Sequence, residues 1–199
     1  MRQYDGVPRR SRTAALWLAA ALSLAAVGGC SSISGLTGDA PEIYRVSVND
    51  QEALQQTNAW RAKHGLAALK LDPHLKEVSQ EMADHVASRD SLKTSRHTGG
   101  SLMRRTQTNG YLSAAGAENL GAGYASITAA MNGWKNSKDH NKNLLNPNVT
   151  HMGIARTNRK DGTYRNFWVM TLAAPVDELP QSMGPVPAPT AQTSTTLSF

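Results

Sequence analysis

Three side chains are of types that do chemistry together: His97, Glu118 and His140. Two neutral imidazoles with a carboxylate or waters suit a divalent cation such as Zn, Ca or Mg. Without a metal, a His and a Glu within hydrogen-bond reach could serve as base and acid. The chain has six histidines. Four of them read as structural. His64 falls at a helix C-terminus, where a cation is favoured; His74 lies in a first helical turn; His85 is mid-helix; His151 opens a strand. His97 stands instead in a loop, Ser95-Arg96-His97-Thr98-Gly99-Gly100, and His140 follows Trp134–Asp139 at the end of an expected helix. Between them lies Gly116-Ala117-Glu118-Asn119-Leu120-Gly121. The two histidines are 43 residues apart, so spacing alone does not bring them together. No nucleophile is marked. Ser137 lies one helical turn from His140 without a nucleophile elbow around it, and there is no HExxH. On a purely structural reading, Glu118 would bond backbone amides, Asn119 would cap a turn, and Trp134 and Trp168 would fill the core.

The elements that must hold these residues are legible in part. Asn49-Asp50-Gln51-Glu52 is a capping box. It starts a helix that runs to His64 and stops at Gly65, with Leu54, Asn58, Arg61 and Ala62 on one face. Asp72-Pro73 starts a second helix, in which Leu75, Val78, Met82 and Val86 keep helical spacing to about Arg89. A short helix is expected near 101–109, ending at Gly110. A fourth, about 126–137, carries Ile127, Ala130, Met131 and Trp134 on one face. The period then changes. Met152 and Ile154 alternate with Gly153 and Ala155, and Tyr164 and Phe167–Met170 form a β-rich run, with an Asp161-Gly162 turn between. Helices thus come first and an antiparallel hairpin closes the domain. That is α+β rather than alternating β-α-β.

The sequence resembles the CAP superfamily of cysteine-rich secretory, antigen 5 and pathogenesis-related 1 proteins (the SCP-like domain), most nearly its bacterial secreted branch. The matching stretches run in order over about 50–174. They are Asn58-x-x-Arg61 with Gly65-Leu66 and Leu69; Asp72 with Leu75; His97; Glu118-Asn119-Leu120 with Gly123; Trp134-x-x-Ser137-x-x-His140 with Asn143–Pro147; Met152–Ala155; and Trp168. The resemblance implies a three-layer α-β-α sandwich with a central antiparallel sheet. It also implies a surface cleft lined by two His and a Glu, mapped here onto His97, His140 and Glu118, with Asn119 and Ser137 beside them. His97 and His140 become the expected metal ligands. Ser137 stands where the animal and plant branch has a second Glu, so the set is a triad. The disulfides of the eukaryotic branch are absent.

Composition bounds the rest. The one cysteine, Cys30, excludes a disulfide scaffold and a Cys-based zinc site. Residues 1–29 read as a secretory signal, with a basic head, an apolar run over 13–27 and a small pair before Cys30. Val27-Gly28-Gly29-Cys30 looks like a lipobox, which makes Cys30 the lipidation site and the membrane a partner. Without residues 1–29 the chain has 17 Lys+Arg and 14 Asp+Glu. A charge near +3 gives no case for nucleic acid. A tether is expected over 30–43, the domain over 44–176, and a Pro/Ser/Thr-rich disordered tail over 177–199. The functional expectation is an exported protein, lipid-anchored to the cell envelope, whose cleft binds a lipid, a peptide or a cell-wall fragment. The alternative is a metal-dependent or His/Glu-based hydrolase.

Overall fold

The computed structural model describes residues 40–178. The signal segment, Cys30, most of the tether and the tail from 179 onward lie outside those residues. In chain order the elements are β1 (Ile43–Val46), α1 (Asp50–Lys63), β2 (Lys70–Leu71), α2 (Pro73–Ser88), α3 (Gly99–Thr108), β3 (Ser113–Ala122), α4 (Ile127–Asn136), α5 (Lys138–Leu144), β4 (His151–Arg159) and β5 (Asn166–Pro175), then a 3-10 turn at Val176–Glu178. The first strand and the last turn reach slightly past the 44–176 expected for the domain.

The sheet order is β1-β4-β5-β3, and β2 pairs with β4 beside β1. All pairings are antiparallel except the two-residue β2–β4 ladder. Alternation along the strands sorts the side chains into two cores. On one face Met152, Ile154, Trp168, Met170 and Leu172 pack with Ala53, Met131, Trp134 and Leu144 of α1, α4 and α5. On the other face Ala155, Phe167, Val169 and Leu120 pack with Met82, Ala83, Val86 and Ala87 of α2. The result is the α-β-α sandwich.

Helix starts follow the caps. Asn49, Asp72, Thr98 and Ser126 each accept an amide of the first turn through a side-chain oxygen, which removes one orphan donor per helix. The expected capping box is only half made, because Glu52 accepts from Gln56 instead of reaching back. The buried line of α1 is Ala53, Thr57 and Arg61, shifted from the expected Leu54–Asn58–Arg61 face.

Four expectations are corrected. The third helix begins at Gly99, not 101, because the Thr98 cap outweighs the low helix propensity of Gly99-Gly100. His140 does not end the fourth helix: α4 stops at Asn136, and His140 lies in a separate α5 that begins after Ser137. Strands β1, β2 and β3 interleave with the helices, where the sequence had the helices come first. Tyr164 stays outside β5 and is exposed. The Asp90 carboxylate there accepts the Thr163 and Tyr164 amides and holds the hairpin loop off the ladder.

Candidate functional site

Strand β3 is the organising element. It is the edge strand beside β5, and its alternation sends Glu118 and Asn119 to opposite faces. Glu118 goes to the side of α2 and α3. There Arg105 Nη2 donates to both carboxylate oxygens, at 2.8 and 3.0 Å. Arg105 Nη1 donates to the Val78 carbonyl of α2. Both residues are deeply buried, Arg105 at 7% and Glu118 at 4% exposure. His97 precedes the Thr98 cap of α3, and its Nδ1 donates to Glu118 Oε2 at 3.0 Å. The carboxylate oxygen accepts, so Nδ1 carries the proton and Nε2 is the nitrogen left for the cleft. The His97 side chain is 40% exposed.

The opposite face belongs to α5. Asn119, fully buried, donates from Nδ2 to the His140 carbonyl. Asn143 Nδ2 donates to the Glu118 carbonyl and to Asn119 Oδ1. These bonds tie α5, and His140 with it, to the edge of β3. The half-buried His140 ring has its pKa pushed below 6.5, first by burial and then by the charge of His97, with Asp139 opposing. The two imidazoles therefore feel one another.

The cleft over this edge has a volume of about 230 Å³. Its lining is His97, Thr98, Gly99, Leu102, Gly116, Ala117, Glu118 and Asn143. Of the residues expected at the site, His97 and Glu118 are in direct contact and line it. Asn119 supports it from beneath, and His140 lies alongside. Ser137 joins α4 to α5 and makes no side-chain cap bond; it is not part of the lining. His64, His74 and His85 bond the Trp60 carbonyl, the Asn109 carbonyl and the Thr94 hydroxyl, each a local structural contact.

Glu118 is not free to join His97 and His140, the two expected ligands, around an ion. Glu118 spends its oxygens on Arg105 and His97. Among the described residues no group of three His, Cys, Asp or Glu side chains is placed to hold an ion. Glu118 instead stands behind His97 and orients it, as carboxylates orient histidines in many sites.

Sequence reasoning missed Arg105 and the role of Asn143. The signal for Arg105 was present: Leu102, Arg105 and Thr106 fall at i, i+3 and i+4 on the buried face of α3. A charge on that stripe needs a buried partner.

A three-layer sandwich with a His–Glu cleft on its edge strand defines a fold class, and the comparisons name it. Residues 54–172 match the model of the Cysteine-rich secretory protein family (CAP), and the chain belongs to that family. It is 29% identical over 109 residues to "Uncharacterized protein YkwD" of Bacillus subtilis (strain 168), covering 55% of this chain and 42% of that protein. It is 32% identical over 108 residues to "Uncharacterized membrane protein YlbC" of the same organism, covering 54% of this chain and 31% of that one. The chain thus spans less than half the length of either curated relative. Among solved structures, it resembles an extracellular SCP-domain protein from Bacillus anthracis str. Ames with a TM-score of 0.53 and 28% identity, over 62% of this chain and 39% of that chain. An outer surface protein from Borrelia burgdorferi shares the fold with a TM-score of 0.57 and 20% identity, over 67% and 99% of the two chains.

Proposed function

We propose that this protein is exported, anchored to the cell envelope by lipid on Cys30, and binds an envelope or extracellular ligand in the His97–Glu118 cleft. The observation that carries the reading is the state of Glu118. A carboxylate buried under Arg105 and bonded to His97 is a fixed support, not a free acid or base. The cleft it supports has no activated hydroxyl in its lining: Thr98 spends its oxygen on the Ser101 amide. His97 Nε2, a backbone edge and the apolar Leu102 and Ala117 remain, which is the make-up of a recognition surface. An extracellular relative and an outer surface protein of the same fold support export. A relative described as a membrane protein fits an anchored form.

The test has two arms. Titration of phosphatidylglycerol vesicles, soluble cell-wall fragments and a synthetic peptide panel into the protein should shift cleft resonances, and His97→Ala should abolish the shift. Metabolic labelling with palmitate should mark the wild type and leave Cys30→Ala unlabelled. Unchanged binding in His97→Ala would reject the cleft, and an unlabelled wild type would reject the anchor.

A second reading rests on the His97 Nδ1–Glu118 Oε2 bond, because a carboxylate-oriented imidazole is also the form of a general base. Turnover of any peptide, ester or glycan substrate that is lost in both His97→Ala and Glu118→Gln would favour it.

A further inference from the structure

We propose, resting on the binding reading above, that the ligand is an extended acidic peptide segment of a partner protein. It adds as a short strand to the free edge of β3 at Gly116–Glu118. Strand β3 ends the sheet order, and among the described residues only β5 pairs with it. Two of its carbonyls are taken from the outer side. Trp134 Nε1 donates to Leu120 O, and Asn143 Nδ2 donates to Glu118 O. In an antiparallel ladder, successive residues turn their backbone groups alternately toward and away from the neighbour. Gly116 therefore points outward with Glu118 and Leu120. At Leu120 and Glu118 the helices α4 and α5 cap those carbonyls. Among the described residues nothing caps Gly116, which is exposed and lines the cleft. The edge offers the Gly116 N–H and C=O, a pair that an extended chain satisfies.

Exposed edges are normally blunted by charge, proline or a bulge. Ser113-Ala114-Ala115-Gly116-Ala117 carries no charge and no proline. Its one protection is an irregularity between Ser113 and Ala115, which confines regular pairing to the stretch beside the cleft. Small side chains leave that backbone open to close approach. Past the irregularity, the exposed Leu112 and Met103 offer apolar contact to a continuing peptide.

The charge of the partner follows from the segments that supply the cleft, 91–117 and α5. Between Asp90 and Glu118 there is no acidic residue, while Lys93, Arg96, Arg104 and Arg105 are cationic. Arg105 is neutralised by Glu118, and Arg104 is exposed on α3. On α5 the exposed Lys138 and Lys142 outnumber Asp139. An acidic peptide is attracted to these segments and a basic one repelled. A lipid headgroup could also meet exposed cations, but it would leave the backbone edge unused.

The experiment titrates acetyl-Thr-Glu-Val-Glu-Val-Thr-amide into the ¹⁵N-labelled protein. Two further probes are its lysine counterpart and versions N-methylated at each amide in turn. The expected result is a shift of the Gly116 and Glu118 amide resonances. Binding should weaken about tenfold or more for the lysine peptide and for Arg104→Glu with Lys142→Glu, both exposed positions. N-methylation should weaken it only at alternate amides. Equal loss at every amide, or binding that leaves the Gly116 and Glu118 amides unmoved, would overturn strand addition. Vesicles of phosphatidylglycerol or soluble cell-wall fragments that shift the His97 resonances when no peptide does would also overturn it, and would leave the broader binding reading standing. If none of these probes moves the cleft, both readings fall.

Discussion

Arg105 Nη2 sits 2.8 and 3.0 Å from the two oxygens of Glu118, with both residues more than nine-tenths buried. This pair carries the cleft, because Glu118 in turn holds His97. Removing one partner leaves an uncompensated buried charge. Arg105→Ala should therefore cost about 3–5 kcal/mol of stability. The double change Arg105→Met with Glu118→Leu replaces the pair by apolar volume and should cost less than Arg105→Ala alone. Urea denaturation midpoints of the three proteins check this. A double variant no more stable than Arg105→Ala would show that the pair is not coupled.

His140 sets a pH dependence. Its folded pKa lies below 6.5, from burial first and His97 second. Between that lower value and 6.5 the unfolded chain binds a proton that the folded chain does not. Stability therefore falls as the pH drops from about 6.5 through the folded pKa of His140. His85 acts in the same direction, through burial first and then Arg96, Arg89 and Arg105. His140→Gln should flatten part of the slope, and adding His85→Gln should flatten more. His97→Gln should raise the pKa of His140, since it removes the second cause. An NMR titration of the His140 Cε1 proton reads that shift, and no upward movement would separate the two imidazoles.

Asn143 closes the opposite side by donating to the Glu118 carbonyl at 3.1 Å and to Asn119 Oδ1 at 2.9 Å. Asn143→Leu should cost about 1–3 kcal/mol, because it leaves a buried Asn119 oxygen unpaired. Asn119→Ala removes the same contact from the other end. The two should be non-additive in a thermal-denaturation cycle, as expected for residues in direct contact. Full additivity would mean that the bond is not made.

The fold was legible where one physical rule acted alone. Asp72-Pro73, the apolar period of α2, the Ile127–Trp134 face and the alternation of Met152 and Ile154 all read through to the structure. The elements that escaped are those whose identity comes from tertiary pairing. β3 reads Ser-Ala-Ala-Gly-Ala-Glu-Asn, with low strand propensity throughout, and it is a strand because β5 lies beside it. β2 is two residues long, and α5 has seven, too few for a period. At the site, His97 and Glu118 came from their neighbours and from family likeness. The Arg105 partner came from neither. A buried Arg is visible in sequence only as a polar residue on an apolar stripe, and which acid it meets is decided by the sheet.

Gly153 offers the sharpest steric test, because α2 lies directly on β4 there. A Cβ at Gly153 would fall on the carbonyl carbon of Leu75 and the amide nitrogen of Lys76. Both are backbone atoms of the first turns of α2, so no rotamer change relieves the overlap, and the helix must lift from the sheet. Ser79 Oγ, which donates to the Gly153 carbonyl and accepts the Thr171 amide nearby, would be drawn away with it. Gly153→Ala should cost about 3 kcal/mol, at the upper end of the usual overpacking range. Gly99 is the control: a Cβ there meets nothing within 4 Å, and the residue opens α3. Gly99→Ala should be stabilising by about 0.4–1 kcal/mol, through lower unfolded-chain entropy. Urea denaturation of both variants beside the wild type measures the contrast. A Gly153→Ala protein as stable as Gly99→Ala would mean that α2 does not rest on β4 at this point.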